Sequence, residues 1–105
     1  MTEEAASLPF VPTVDVAVLI IHPTVVAKIR DRHSPLTAED VREAVLYARD
    51  TTTGWDPDET HGLRLVVRGR TYAGAEFIAY LMPLNENDPE EGTFILKTAI
   101  PIPAI

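Results

Sequence analysis

Apolar and polar residues recur at two periods along this chain, and the changes of period lay out its elements. Val14, Val16, Val18 and Ile20 alternate with Asp15, Ala17, Leu19 and Ile21, the period of two of a short strand whose faces both turn apolar toward its end. His22-Pro23 follows, and proline is accommodated in the first turn of a helix because its missing N–H would have no partner there; a first helix is expected over roughly 23–33. Ser34-Pro35-Leu36 interrupts it. Thr37 with Asp40 three positions later resembles a capping box, the acid replacing the usual Glu or Gln. Val41, Ala44, Val45 and Ala48 then fall at i, i+3, i+4 and i+7, one face of a helix from about Thr37 to Arg49.

From Asp50 to Thr60 the chain is rich in threonine and acid, with Gly54 and Pro57, and reads as a loop that pins itself by burying Trp55. Leu63, Leu65 and Val67 alternate with Arg64, Val66 and Arg68 in a strand. Gly69 to Gly74 supplies a turn into a second strand over 75–82, and the two form a hairpin. Asn85 to Gly92 is a polar connection, and 93–100 is the last strand before a Pro101/Pro103 tail that cannot extend a ladder. The order strand, helix, helix, meander predicts an α+β fold: a short N-terminal strand and two helices packed on one face of a three- to four-stranded antiparallel sheet. If Leu63, Leu65 and Val67 face the helices, Arg64 and Arg68 point the other way. On the last strand Phe94, Leu96, Thr98 and Ile100 are expected inward and Ile95, Lys97 and Ala99 outward, so that Arg64, Arg68 and Lys97 share a surface.

Residues 1–12, with Pro9 and Pro12 and little periodicity, read as a mobile leader, and 13–105 as one domain of ordinary size. With no cysteine there is neither a disulfide nor a thiolate site. The acidic start and an apolar run no longer than Val16 to Ile21 point to a cytoplasmic protein with no membrane segment. A net charge of −7 argues against a nucleic-acid partner until its distribution is considered. Over 22–49, 61–82 and 93–100 there are nine Lys or Arg against five acids, a local +4, and the other eleven acids lie in the tail, the first strand and the loops.

His22 and His33 lie three helical turns apart, roughly 16 Å of rise, too far to share one metal ion. Each has a plain reading as a helix-end residue. Arg30, Arg32 and His33 crowd the end of the first helix, where the helix dipole favours positive charge; they also combine phosphate-holding groups with an imidazole able to carry protons near neutrality. Asp56, Asp58 and Glu59 lack the register of an EF-hand loop and read as solvated acids. No phosphate-binding glycine loop and no nucleophile elbow occurs.

The run His22-Pro-x-x-Val-x-x-Ile-x-x-Arg32-His33, then Leu36-Thr-x-Glu-Asp-Val-x-Glu-Ala-Val45, Leu63-Arg-Leu-Val-Val and Phe94-Ile-Leu-Lys-Thr-Ala-Ile100 resembles the plan of BrnT-like bacterial toxins, which belong with the RelE-like ribonucleases of toxin–antitoxin systems. The resemblance spans roughly residues 22–100. It implies a metal-independent endoribonuclease without a cofactor, acting on RNA and neutralised by a cognate antitoxin protein. By position it carries the family's opening histidine to His22, its arginine-histidine helix end to Arg32 and His33, and its basic-plus-hydroxyl last strand to Lys97 and Thr98. Members of that family are usually basic, and this chain departs from them in its acidity. The mechanism expected is 2′-hydroxyl attack on the adjacent phosphate, His33 serving as general base or acid while Arg30, Arg64 and Lys97 stabilise developing charge. His22, Arg32, Arg68 and Thr98 are candidate substrate contacts, and Tyr80 or Tyr72 is suited to stack on a base or donate a proton. The rival expectation is a non-catalytic protein-binding or regulatory module of the same fold, possible as a homodimer.

Overall fold

The computed structural model describes residues 16–47, 51–58 and 62–103. Along them run β1 (Val18–Ile20), α1 (Pro23–Arg32), α2 (Ala38–Tyr47), β2 (Thr52–Asp58), β3 (Gly62–Arg70), β4 (Glu76–Pro83) and β5 (Thr93–Pro101), with a 3₁₀ turn at Pro89–Glu91 before the last strand. The leader at 1–12, the start of the expected first strand, Ala48, Arg49 and Glu59 lie outside the described residues.

α1 opens with Pro23 in its first turn and closes where the His33 N–H donates to the Ile29 carbonyl at 2.8 Å. The reciprocal cap expected at the second helix is present. The Asp40 N–H donates to Thr37 Oγ1 at 3.1 Å, and the Thr37 N–H donates to Asp40 Oδ2 at 3.3 Å, so two helix-start donors are satisfied by each other's side chains. Val41, Ala44 and Val45 on one face of α2 and Ile29 on α1 pack against Leu65, Leu81 and Phe94 of the sheet. The Arg42 guanidinium donates to the Leu19 carbonyl at 2.9 Å, fastening α2 to the first strand.

The α+β class is as expected, but the sheet is larger and mixed. Its order is β1-β5-β4-β3-β2; β1 pairs parallel with β5 and every other pairing is antiparallel. Two differences from the sequence expectation have local causes. First, the segment expected to be a loop contains β2. Thr51, Thr53 and Trp55 turn inward, and Thr52 and Asp56 turn outward, a period of two written in threonine rather than aliphatic residues. Trp55 packs beside Phe94, ring centroids 6.1 Å apart. Pro57 is tolerated because β2 is an edge strand.

Second, β5 changes face part-way. Leu81 pairs with Leu96 while Tyr80 pairs with Thr98, so Lys97 is an extra residue without a cross-strand counterpart. This β-bulge shifts the alternation by one. Phe94 and Leu96 are buried as expected, but beyond the bulge Ala99 turns inward, and Thr98 and Ile100, expected inward, turn outward.

At Gly69 a Cβ would meet the buried Phe77 ring at 2.9 Å and Thr51 Cγ2 at 3.0 Å, so two strands and a ring close only over a glycine. No helix among the described residues is long and apolar enough to cross a membrane.

Candidate nucleic-acid interface on the open sheet face

Both helices lie on one face of the sheet, and the opposite face carries every second residue of its strands without a covering element among the described residues. Two cross-strand pairs on that face, offset by two residues, are joined by a diagonal contact, since the register partner of Tyr80 on β3 is Val66. Asp56 on β2 pairs in register with Arg64 on β3, and Tyr80 on β4 pairs in register with Thr98 on β5. Arg64 Nη2 donates to Asp56 Oδ2 at 2.7 Å, and its guanidinium carbon stands 4.7 Å from the centroid of the Tyr80 ring. The Arg64 head is therefore oriented twice, by a charge-assisted hydrogen bond and by the ring face.

Lys97 reaches this line through the bulge, is exposed, and has no ion pair among the described residues. Bulges re-aim side chains, and here the extra residue adds a cation beside Thr98. Further along β3, Arg68 and Arg70 flank Glu76, with nitrogen–oxygen distances of 3.8 and 2.8 Å. These pairs are half-exposed and of small energetic weight. Among the described side chains the face thus carries Arg64, Arg68, Arg70 and Lys97 against Asp56 and Glu76. Interleaved with them are Val66, Ile78, Met82 and Ile95, half-buried, and Val18 and Ile100, 49% and 42% exposed.

Asp56 was read from sequence as a solvated loop acid; it is instead the strand partner of Arg64. The role is illegible in the sequence because β2 carries threonine where strands usually carry aliphatic residues.

Of the residues expected to form a site, Arg64, Arg68, Tyr80, Lys97 and Thr98 share the open face. His22, Arg30, Arg32 and His33 belong to α1, in the layer that covers the other face. His22 is exposed at the start of the helix and makes no side-chain cap; its carbonyl accepts from Val25 and Val26. Arg30 is exposed and donates to its neighbour Asp31 at 3.0 Å. Arg32 is exposed and His33 is half-buried at the helix end. The fold thus gathers the sheet cations with a tyrosine and a hydroxyl, and sets the candidate proton carrier in the other layer. Among the described residues no three of His, Asp and Glu come together as a metal-binding set.

Compared with family models, curated proteins and solved structures, the chain matches none.

Proposed function

We propose that this chain is a metal-independent endoribonuclease of the toxin–antitoxin kind, with a RelE-like arrangement, that holds RNA on its open sheet face and is kept in check by a cognate antitoxin protein in the cytoplasm. The observation that carries the reading is the diagonal line of contacts Asp56–Arg64–Tyr80–Thr98 with Lys97 beside it. Single-stranded nucleic acid is held by cations that meet its phosphates and by aromatic faces that meet its bases, and this line offers both within neighbouring strands.

In this reading Arg64 and Lys97 bind the scissile phosphate and stabilise the charge that develops as the neighbouring 2′-hydroxyl gives its proton to water and attacks phosphorus, the bond to the 5′-oxygen breaking to leave a 2′,3′-cyclic phosphate. Arg68 and Thr98 position the strand, and Tyr80 stacks on a base or donates the proton that the leaving oxygen takes up. His33, with Arg30 and Arg32 beside it at the end of α1 and His22 at the start of that helix, serves RNA that extends to the helix layer. Among the described side chains the open face sets Arg64, Arg68, Arg70 and Lys97 against Asp56 and Glu76, which offsets an overall charge of −7 where RNA would lie.

One observation favours the rival reading of a non-catalytic protein-binding module: the cations alternate with Val18, Ile78, Met82, Ile95 and Ile100, an apolar sheet surface of the kind a protein partner covers. Expression of the chain alone separates the two. A ribonuclease toxin arrests growth, and an Arg64→Ala, Lys97→Ala double variant relieves the arrest. If growth continues unchanged and the purified protein leaves RNA intact even with ribosomes present, the binding module is the correct account.

A further inference from the structure

A cleft of about 780 Å³ opens where the end of α2 meets the β3–β4 turn, and its lining includes Glu43, Tyr47, Arg70, Thr71 and Tyr72. Resting on the RNA reading, we infer that this cleft is a base-recognition subsite that takes one guanine of a single-stranded RNA.

The two tyrosines carry the first part of the argument. Tyr72 is 85% exposed and Tyr47 is 72% exposed, the most exposed large hydrophobic side chains among the described residues. Neither contributes to the core, and both border the same cleft. Two aromatic faces at one opening form a stacking platform for a base, and stacking of this kind is indifferent to which base arrives.

Glu43 supplies the choice. It precedes Tyr47 by four residues on α2, so the two stand on one helix face. A carboxylate accepts hydrogen bonds and donates none. Guanine presents two adjacent donors on its Watson–Crick edge, the ring N1–H and the exocyclic amino group. Adenine and cytosine present one donor beside an acceptor that a carboxylate repels, and uracil presents one donor between two acceptors. The base that matches Glu43 is guanine.

Arg70 connects the cleft to the phosphate-binding surface. It borders the cleft and also the shallow groove that holds Thr52, Arg68 and Glu76 on the open face. Arg68 and Arg70 are two residues apart on β3, about 7 Å along the strand, the scale of one nucleotide step. Arg70 keeps donors in reserve beyond its bond to Glu76, since a guanidinium has five N–H groups. A strand whose phosphates pass over Arg68 and Arg70 therefore delivers its next base to the tyrosines. The floor is fixed: the Thr71 N–H donates to the Ala75 carbonyl at 2.8 Å, and Thr71 Oγ1 accepts from the Ala75 N–H at 3.1 Å.

The test is calorimetric titration of the full chain, without divalent metal, with short uridine oligoribonucleotides carrying one central guanosine, adenosine, cytidine or uridine, each with 2′-O-methyl groups to block cleavage. The guanosine RNA is expected to bind roughly tenfold more tightly than the others, as one matched base contact allows. Tyr47→Ala and Tyr72→Ala should each weaken every RNA by about tenfold, the effect of losing one stacking partner. Tyr72→Phe should keep wild-type affinity, because stacking does not use the hydroxyl. Glu43→Gln should abolish the preference for guanosine while the other RNAs bind as before. If the RNAs bind in a manner that depends on Arg64 and Lys97 but is indifferent to Tyr47, Tyr72 and Glu43, the subsite is wrong and the open-face reading stands. If the wild-type chain binds none of them, both are wrong.

Discussion

The Arg64 guanidinium lies over the Tyr80 ring, 4.7 Å from its centroid, while Asp56 on the other side accepts its hydrogen bond at 2.7 Å. The pair is a cation held against an aromatic face by a carboxylate that any phosphate must compete with. Asp56→Asn should therefore tighten RNA binding several-fold at low salt, the gain shrinking as ionic strength rises. Fluorescence anisotropy of a labelled single-stranded RNA, titrated at two salt concentrations, measures this. Both side chains are partly open to solvent, so the change in stability should stay within about 1 kcal/mol. A variant that binds RNA more weakly would place Asp56 in contact with the substrate instead.

Val45 is 3% exposed and sits with Val41 and Ala44 on the apolar face of α2. Val45→Asp places an unpaired carboxylate there, at a cost of several kcal/mol against a typical total of about 5–15. The variant should show no cooperative thermal transition. An unchanged melt would remove the packing of α2 on the sheet.

Much of this framework is readable from the residues themselves. The α2 face and its Thr37–Asp40 cap follow from spacing, because both are local. The outward direction of Arg64 and Arg68 follows from alternation within β3. Three features are not legible that way. β2 buries Thr51, Thr53 and Trp55, and threonine at an inward position looks polar in a pattern although its methyl group packs. The parallel pairing of β1 with β5 joins segments at opposite ends of the domain, which no local pattern encodes. The bulge at Lys97 is one residue with no counterpart, and it reversed the expected faces of Thr98, Ala99 and Ile100. The site divides along the same line. Arg64, Arg68 and Lys97 were expected to share a surface and they do, whereas the distribution of the remaining candidates over two layers depends on how α1 packs.

The close approach at Gly69 gives a second stability prediction. Gly69→Ala sets a methyl group 2.9 Å from the Phe77 ring, which is fully buried and has no room to withdraw. Overpacking of this kind costs about 1–3 kcal/mol, and urea denaturation should show the midpoint lowered by that amount at unchanged slope. A neutral result would mean that β3 and β4 separate more easily at this end than the Gly69–Phe77 pairing indicates.

Removing the cap should be milder. Thr37→Ala leaves the Asp40 N–H without its acceptor and should cost about 0.5–2 kcal/mol, with activity unaffected. Thr37→Ser should restore most of the loss, since the hydroxyl is what accepts. Equal stability of the alanine variant and the wild type would show that the start of α2 is held by packing alone.

The role of the open face is tested most directly by RNA cleavage in the presence of EDTA, comparing the wild type with Arg64→Ala, Lys97→Ala and His33→Ala, each checked for an unchanged thermal melt. The account predicts that the wild type cuts without divalent metal and that Arg64→Ala and Lys97→Ala each lower the rate by about 10²–10³, as loss of a charge-stabilising group does. His33→Ala, in the layer on the other side of the sheet from the scissile phosphate, should lower the rate by less than either. Cleavage that persists at the wild-type rate in both Arg64→Ala and Lys97→Ala, or a wild type that cuts no RNA with or without ribosomes, would contradict the assignment of the open sheet face as a ribonuclease surface.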